Sequence, residues 1–432
     1  MRSGELGPGF FLLAATSLLL ISIHASAQAG QLDASFASGG IFATTTTKST
    51  ANAVAIQSDG KIVVAGTGLL GDNFSDALIR LNTDGSLDTS FGTGGVANVP
   101  PPGGGNTFGF LALAIERDGR IVAAAANFAS TGAIVQVARV ETNGTLDTSF
   151  GSGGFTSSTA IPFVTSGALA LQPDGKVVVA AGVMARFTAT GQLDTTFGNG
   201  GIASLVNSTP TQIALQSNGR LLVASGEAAR LVFQAQPAAQ PGTISRYYSN
   251  GSLDTTFGSA GTVASVAAAS ALLLQADGKI VVAGALTSKL NVPPTVNDVG
   301  FGIVRYSPNG AIDRTFGNGG VAIADFGVNA PVSGAFAVAI QTNGDLVAAG
   351  AASGKLVSNS VTSSFGLARF TSSGQLDTSF GKGGTVITTV ASGQFSWITG
   401  LAIQSDGKIV AAGTSQFTFV FDNAYVARYL AQ

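Results

Sequence analysis

One nine-residue signature, Leu-Asp-x-(Ser/Thr)-Phe-x-x-Gly-Gly, recurs along this 432-residue chain and constrains its fold more than any other feature. Copies begin at Leu32, Leu87, Leu146, Leu193 and Leu376, with variants at Leu253, where Ala260 replaces the first glycine of the pair, and at Ile312. A second signature is a polar turn ending in Asp-Gly or Asn-Gly before an apolar run, at Asp59, Asp118, Asp174, Asn218, Asp277, Asn343 and Asp406. A third is an arginine preceding an apolar residue, at Arg80, Arg139, Arg186, Arg246, Arg305, Arg369 and Arg428. Each signature occurs seven times, at a period of roughly 57 residues. A repeat of that length is one supersecondary unit that must stack on its neighbours to bury its apolar faces.

Within the repeat the sequence predicts four strands: Ala51 to Gln57 (a), Lys61 to Thr67 (b), Asp76 to Asn82 (c) and Leu87 to about Val99 (d), the last broken near Gly94-Gly95. Strands a and b are almost wholly apolar rather than alternating, the pattern of strands covered on both faces. Sheets packed radially as propeller blades are covered in this way and keep only short edges. The turn Ser58-Asp59-Gly60 places glycine last, as a type I turn followed by a glycine bulge requires. That register pairs Gln57 with Lys61. Applied to the second hairpin it sets Arg80 opposite Asp88, and the same eight-residue spacing recurs for Arg139/Asp147, Arg186/Asp194, Arg246/Asp254, Arg305/Asp313 and Arg369/Asp377.

The seventh pair is divided between the two ends of the sequence. Arg428 closes a strand c with no strand d after it, whereas Leu32-Asp33 opens a strand d with no strand c before it. Six intact copies and two complementary halves predict an all-β, seven-bladed β-propeller of four-stranded blades over residues 28–432, with the N-terminal strand docking on the C-terminal blade. At this point the chain resembles the delta-60 repeat proteins of bacteria, through QSDGKIVVAG at 57–66 and LDTSFGTGG at 87–95, and the resemblance extends over residues 32–430. It implies an exported bacterial propeller and no set of catalytic residues.

Residues 1–27 have the three parts of a secretory signal. Arg2 lies in the n-region, Phe10 to Ile23 is mostly apolar but too short to span a bilayer, and Ala25-Ser26-Ala27 suits a signal peptidase. The expectation is a protein secreted or placed in the periplasm, with no membrane span and a monomeric state. Cysteine is absent and the one histidine, His24, lies within the signal. Disulfides, thiolate chemistry, histidine-ligated metals and a Ser-His-Asp triad are therefore excluded from the remainder. Charged residues make up 10% of the chain with a net of −2, which gives no basic footprint for nucleic acid.

The residues that could carry chemistry have structural readings that fit better. The repeated Asp, identical in every blade, builds equivalent joints rather than one active site. Asn82 to Asp88 spells N-x-D-G-x-x-D, similar to a calcium loop, but Thr188 to Asp194 and Thr371 to Asp377 lack its oxygens. The S-D-G turns share part of the Asp-box of sialidase-type propellers without its aromatic residue. Only Glu116, Glu141 and Glu227 supply glutamate after the signal, and Trp397 is the one tryptophan, where quinone-dependent propellers repeat it. Phe36, Phe91, Phe150, Phe197, Phe257, Phe316 and Phe380 recur at one position and are expected between blades. The sequence thus assigns no catalytic, cofactor-binding or metal-ligating residue and no cofactor.

Variation between copies is concentrated in the b–c connections. Val183-Met184 is minimal in blade three, whereas Glu227 to Thr243, Ala285 to Gly300 and Ala351 to Ser364 are long. In a four-stranded blade the b–c and d–a connections share one face, opposite the hairpins, and loops on a rigid scaffold commonly carry recognition. The favoured reading is a non-catalytic binding or scaffold propeller for an unidentified protein or glycan. The alternative is a carboxylate-based hydrolase or lyase of an extracellular polymer. The long connections offer Glu227, Arg230, Lys289, Asp298 and Lys355 as ionisable groups, too few to favour catalysis. An outer-membrane barrel is disfavoured by short strands, the odd repeat number and a C-terminal Gln432.

Overall fold

The computed structural model describes residues 28–432 except 46–47, 70–75, 101–106, 130–131, 159–165, 227–241, 266, 287–299, 327–332, 358–359 and 418–419. Residues 1–27, read above as an export signal, lie outside the described residues. The strands form seven four-stranded antiparallel sheets, each in the order a-b-c-d. Blade one consists of Thr50–Ile56, Ile62–Thr67, Asp76–Leu81 and Val96–Asn98. In blade seven, strands Phe395–Ile403, Ile409–Phe417 and Val420–Tyr429 are completed by Ile41–Ala43, which pairs with the last of them in the register Ile41 to Ala427. No helix among the described residues is long and apolar enough to cross a membrane.

Strand b explains why the blades stack. All six residues of Ile62–Thr67 are buried, and the side chains alternate between two neighbours. Ile62 and Val64 pack with Val410, Ala412 and Val426 of blade seven, whereas Val63 and Ala65 pack with Ile121, Ala123 and Val140 of blade two. Seven such clusters fill the seven interfaces between consecutive blades. Each buried Val or Ile contributes about 1.5–3 kcal/mol of transfer free energy, so an apolar run with no exposed face is what this position demands.

Two sequence expectations need correction. The d segment breaks directly after Leu87 rather than only near Gly94-Gly95. Leu87 makes one bridge to Leu81, after which the chain turns, and the ladder resumes only at Val96–Asn98. The cause is Asp88, whose Oδ1 accepts from the Ser90 backbone N–H (3.1 Å) and hydroxyl (2.6 Å) and curls the backbone into an Asx turn. Phe91 N–H then bonds Asp88 O (3.0 Å), and Arg80 N–H meets Gly95 O (3.0 Å) to rejoin the sheet. The second correction concerns the b–c connections. In blade three Val183 and Met184 already belong to strand Val183–Phe187, which leaves Gly182 alone between strands b and c. In blade six Ala351 to Ser364 is not an open loop. Strands Leu346–Val357 and Ser360–Phe370 continue as a hairpin with Lys355 opposite Thr362. The irregular face therefore carries long hairpins as well as loops.

Candidate functional site

The repeated Arg and Asp meet in all seven blades. In blade one, Arg80 Nε donates to Asp88 Oδ2 at 2.7 Å, Lys61 Nζ reaches the same oxygen at 2.9 Å, and the Arg80 guanidinium lies 4.5 Å from the centroid of the Phe91 ring. A further Arg80 nitrogen donates to Thr142 O in the c–d turn of blade two, and Gly92 N–H donates to Asn143 O in that turn. The guanidinium thus ties its own hairpin, an aromatic ring at the blade interface and the backbone of the next blade. The same three guanidinium contacts recur around Arg139, Arg186, Arg246, Arg305, Arg369 and Arg428. The recurring Phe are fully buried at these joints.

These carboxylates are held ionised. Burial would raise the Asp33 pKa. The Ser35 hydroxyl and backbone N–H, Lys408 and Arg428 outweigh it and bring the value to about 2. Asp147, Asp194, Asp254 and Asp313 also lie at about 2 by the same opposition, and Asp88 is lowered further. A carboxylate locked into its charged form by fixed donors is a structural joint and a poor general acid.

The other sequence candidates do not converge. In the calcium-like loop, Asp84 Oδ1 accepts from the Ser86 N–H (2.9 Å) and hydroxyl (2.6 Å), while Asp88 faces Arg80 and Lys61. Glu116 stands in blade two where the other blades have glutamine, 3.0 Å from Arg120 and 3.8 Å from Arg139, and burial raises its pKa. Glu141 sits in the c–d turn of the same blade, where its N–H bonds Thr145 O. Trp397 is buried in strand a of blade seven, its ring centroid 5.3 Å from that of Phe395. Glu227, Arg230, Lys289 and Asp298 lie outside the described residues, and Lys355 is placed only as a strand position.

A site that the signatures did not mark lies on the axis. Strand a is innermost in every blade, and the seven a strands enclose a cavity of about 270 Å³. In five blades the a–b ladder slips by one residue near its start, and the extra residue lines the cavity: Asn52, Leu111, Thr211, Phe336 and Thr399. Gly167 and Ser270 hold the corresponding places in blades three and five. A bulge re-aims one side chain out of the ladder, here toward the axis. All seven stand seven residues before the Asp or Asn of the a–b turn, at the end of strand a that faces the irregular connections. Asn52 Nδ2 donates to Phe110 O (2.9 Å), Thr211 Oγ1 to Ala269 O (2.6 Å) and Thr399 Oγ1 to Ala51 O, each reaching the next blade. Among the described residues, no ionisable side chain lines this cavity.

The chain matches the family model described as a domain of unknown function (DUF5122) beta-propeller at residues 57–91, 116–150, 172–197, 275–316, 341–380 and 404–432. These matches support membership in a β-propeller repeat family. A search of curated proteins returns no match. Among solved structures, the chain is similar to the polysaccharide lyase Uly1 at 12% identity and a TM-score of 0.43, covering 88% of this chain and 90% of that one. It is also similar to the α-L-arabinofuranosidase Arb93A from Fusarium graminearum at 9% identity and a TM-score of 0.39, covering 93% and 97%. At these scores neither likeness bears on activity.

Proposed function

We propose that this chain is an exported, non-catalytic binding or scaffold propeller of the delta-60 repeat kind, which recognises a protein or glycan on the face formed by its b–c and d–a connections. The observation that carries this reading is the contrast between the two faces. The hairpin face repeats one joint seven times, whereas the b–c connection ranges from Gly182 alone in blade three to residues 226–242 in blade four and a twelve-residue strand, Leu346–Val357, in blade six. A rigid ring with one invariant and one varied face has the form of a recognition scaffold. Among the described residues the axial cavity is lined by neutral polar and apolar groups, which suits the binding of a neutral ligand.

The test uses residues 28–432 against an array of neutral and acidic polysaccharides and envelope proteins, with product analysis of every hit. Saturable binding that leaves the bound polymer intact is the expected result. New reducing or unsaturated chain ends would instead establish the alternative, an extracellular-polymer hydrolase or lyase.

A further inference from the structure

We propose that the axial cavity binds a single neutral sugar residue, seated against Phe336 and hydrogen-bonded by the bulge residues of strand a. This inference rests on the binding reading above and gives it a place and a ligand class.

Size is the first argument. At about 270 Å³ the cavity lies just below the range of roughly 300–1,000 Å³ usual for small-molecule sites, which suits one ring rather than a polymer segment. Charge is the second. Among the described residues the polar lining consists of Asn52, Ser166, Thr211, Gln212, Ser270 and Thr399, which offer a charged ligand no counter-charge against its lost hydration.

The third argument is how the polar and apolar groups are arranged. Phe336 and Leu111 stand three blades apart around the ring and present aromatic and aliphatic surface to the C–H face of a sugar. Because the Thr211 and Thr399 hydroxyl protons point at Ala269 O and Ala51 O, their oxygen lone pairs are oriented as acceptors. Donors come from the backbone. The ladder alternates, so residues in non-hydrogen-bonded pairs turn their N–H and C=O away from strand b. Val54 stands opposite Val64 in such a pair, and Val338 opposite Val347's neighbour Ala348, which directs their backbone groups toward the axis. A wall that both accepts and donates suits sugar hydroxyls, each of which does both.

The experiment measures saturation-transfer NMR and calorimetric binding of D-glucose, L-arabinose and N-acetyl-D-glucosamine to residues 28–432, with D-glucuronate as the charged control. At least one neutral probe should bind saturably and D-glucuronate should not. Phe336→Leu keeps an apolar side chain but removes the aromatic face, and should weaken binding about tenfold. Ser270→Phe should abolish binding by filling the cavity, and it supplies the same readout if Phe336→Leu fails to fold by thermal melting. The proposal is overturned if no neutral probe binds, if D-glucuronate binds as well as they do, or if both folded variants bind like the parent. Polymer binding on the array without any neutral-probe binding would remove this inference and leave the proposed function standing. Loss of both would remove the two together.

Discussion

Arg428 donates through Nε to Asp33 Oδ2 at 2.9 Å, although the two residues are 395 apart in the sequence. Around them the ends of the described chain rebuild a c–d hairpin from separate pieces. Leu32 bridges Tyr429 as Leu87 bridges Leu81, Gly30 N–H donates to Leu430 O as Gly85 N–H does to Asn82 O, and Gly30 shares with Gly85 a φ near +84° (83 and 85). Lys408 supplies the third partner of Asp33 at 3.2 Å, as Lys61 does for Asp88.

If the seam joint is equivalent to the others, Asp33→Ala and Asp88→Ala should destabilise by similar amounts. Both carboxylates are about 7% exposed, and removing either strands a buried arginine, at a cost of about 3–5 kcal/mol. Urea melts of the two variants check this. A loss at Asp88 several-fold larger than at Asp33 would show that the seam contributes little.

Blade six departs from the pattern. Its turn carries Asp345 where Lys61, Arg120, Lys176, Arg220, Lys279 and Lys408 stand in the other blades, and the Asp377 side chain is 18% exposed against 0–9% elsewhere. Asp345→Lys should restore the second cation and stabilise by a few tenths to about 1 kcal/mol. Differential scanning calorimetry at low salt would register the gain, which should shrink as salt is raised.

Ala37 occupies the place held by Gly92 and its counterparts, with a φ of 45°. A side chain pays a steric penalty there, so Ala37→Gly should stabilise by about 1 kcal/mol. Ala260 has a φ of 50° at a different place, equivalent to Gly94, where an added Cβ meets nothing within 4 Å. Ala37→Gly and Ala260→Gly compared in one melting series separate backbone strain from crowding.

Acid should unfold the ring within a narrow window. Asp33, Asp147, Asp194, Asp254 and Asp313 have folded values near 2, below the ordinary 3.8. A depressed folded pKa contributes stability that is complete above the unfolded value and is lost as pH falls through the folded one. Stability to urea should therefore be flat from pH 7 to about 5 and fall between about pH 4 and pH 2. Asp33→Asn should make that fall shallower. A stability decline centred near pH 6 would contradict the assignment.

The joints were legible because their parts recur at fixed spacing. Eight residues between Arg80 and Asp88, together with a glycine at the turn, set the register that brings them together. The curl after Asp88 was not, because nothing in the spacing of Leu-Asp-Thr-Ser-Phe announces that the Ser90 N–H and hydroxyl both turn back onto the Asp88 carboxylate and break the ladder. The axial site was hidden for another reason. Leu111 and Phe336 blend into apolar runs, and a bulge that turns them inward depends on packing seven a strands around one axis. The available signal was variety at one repeat position, Asn52, Leu111, Gly167, Thr211, Ser270, Phe336 and Thr399, just before a position that is alanine in five of the seven blades.

The most direct test of recognition by the irregular face is a hydrogen-exchange footprint of residues 28–432 with the tightest-binding partner from the array. Protection should fall on the b–c and d–a connections and on the start of the a strands, including Asn52 and Thr399, with the Asp-Gly hairpins unchanged. Protection confined to the turns at Asp59, Asp118, Asp174 and their counterparts, with the connections unprotected, would contradict it.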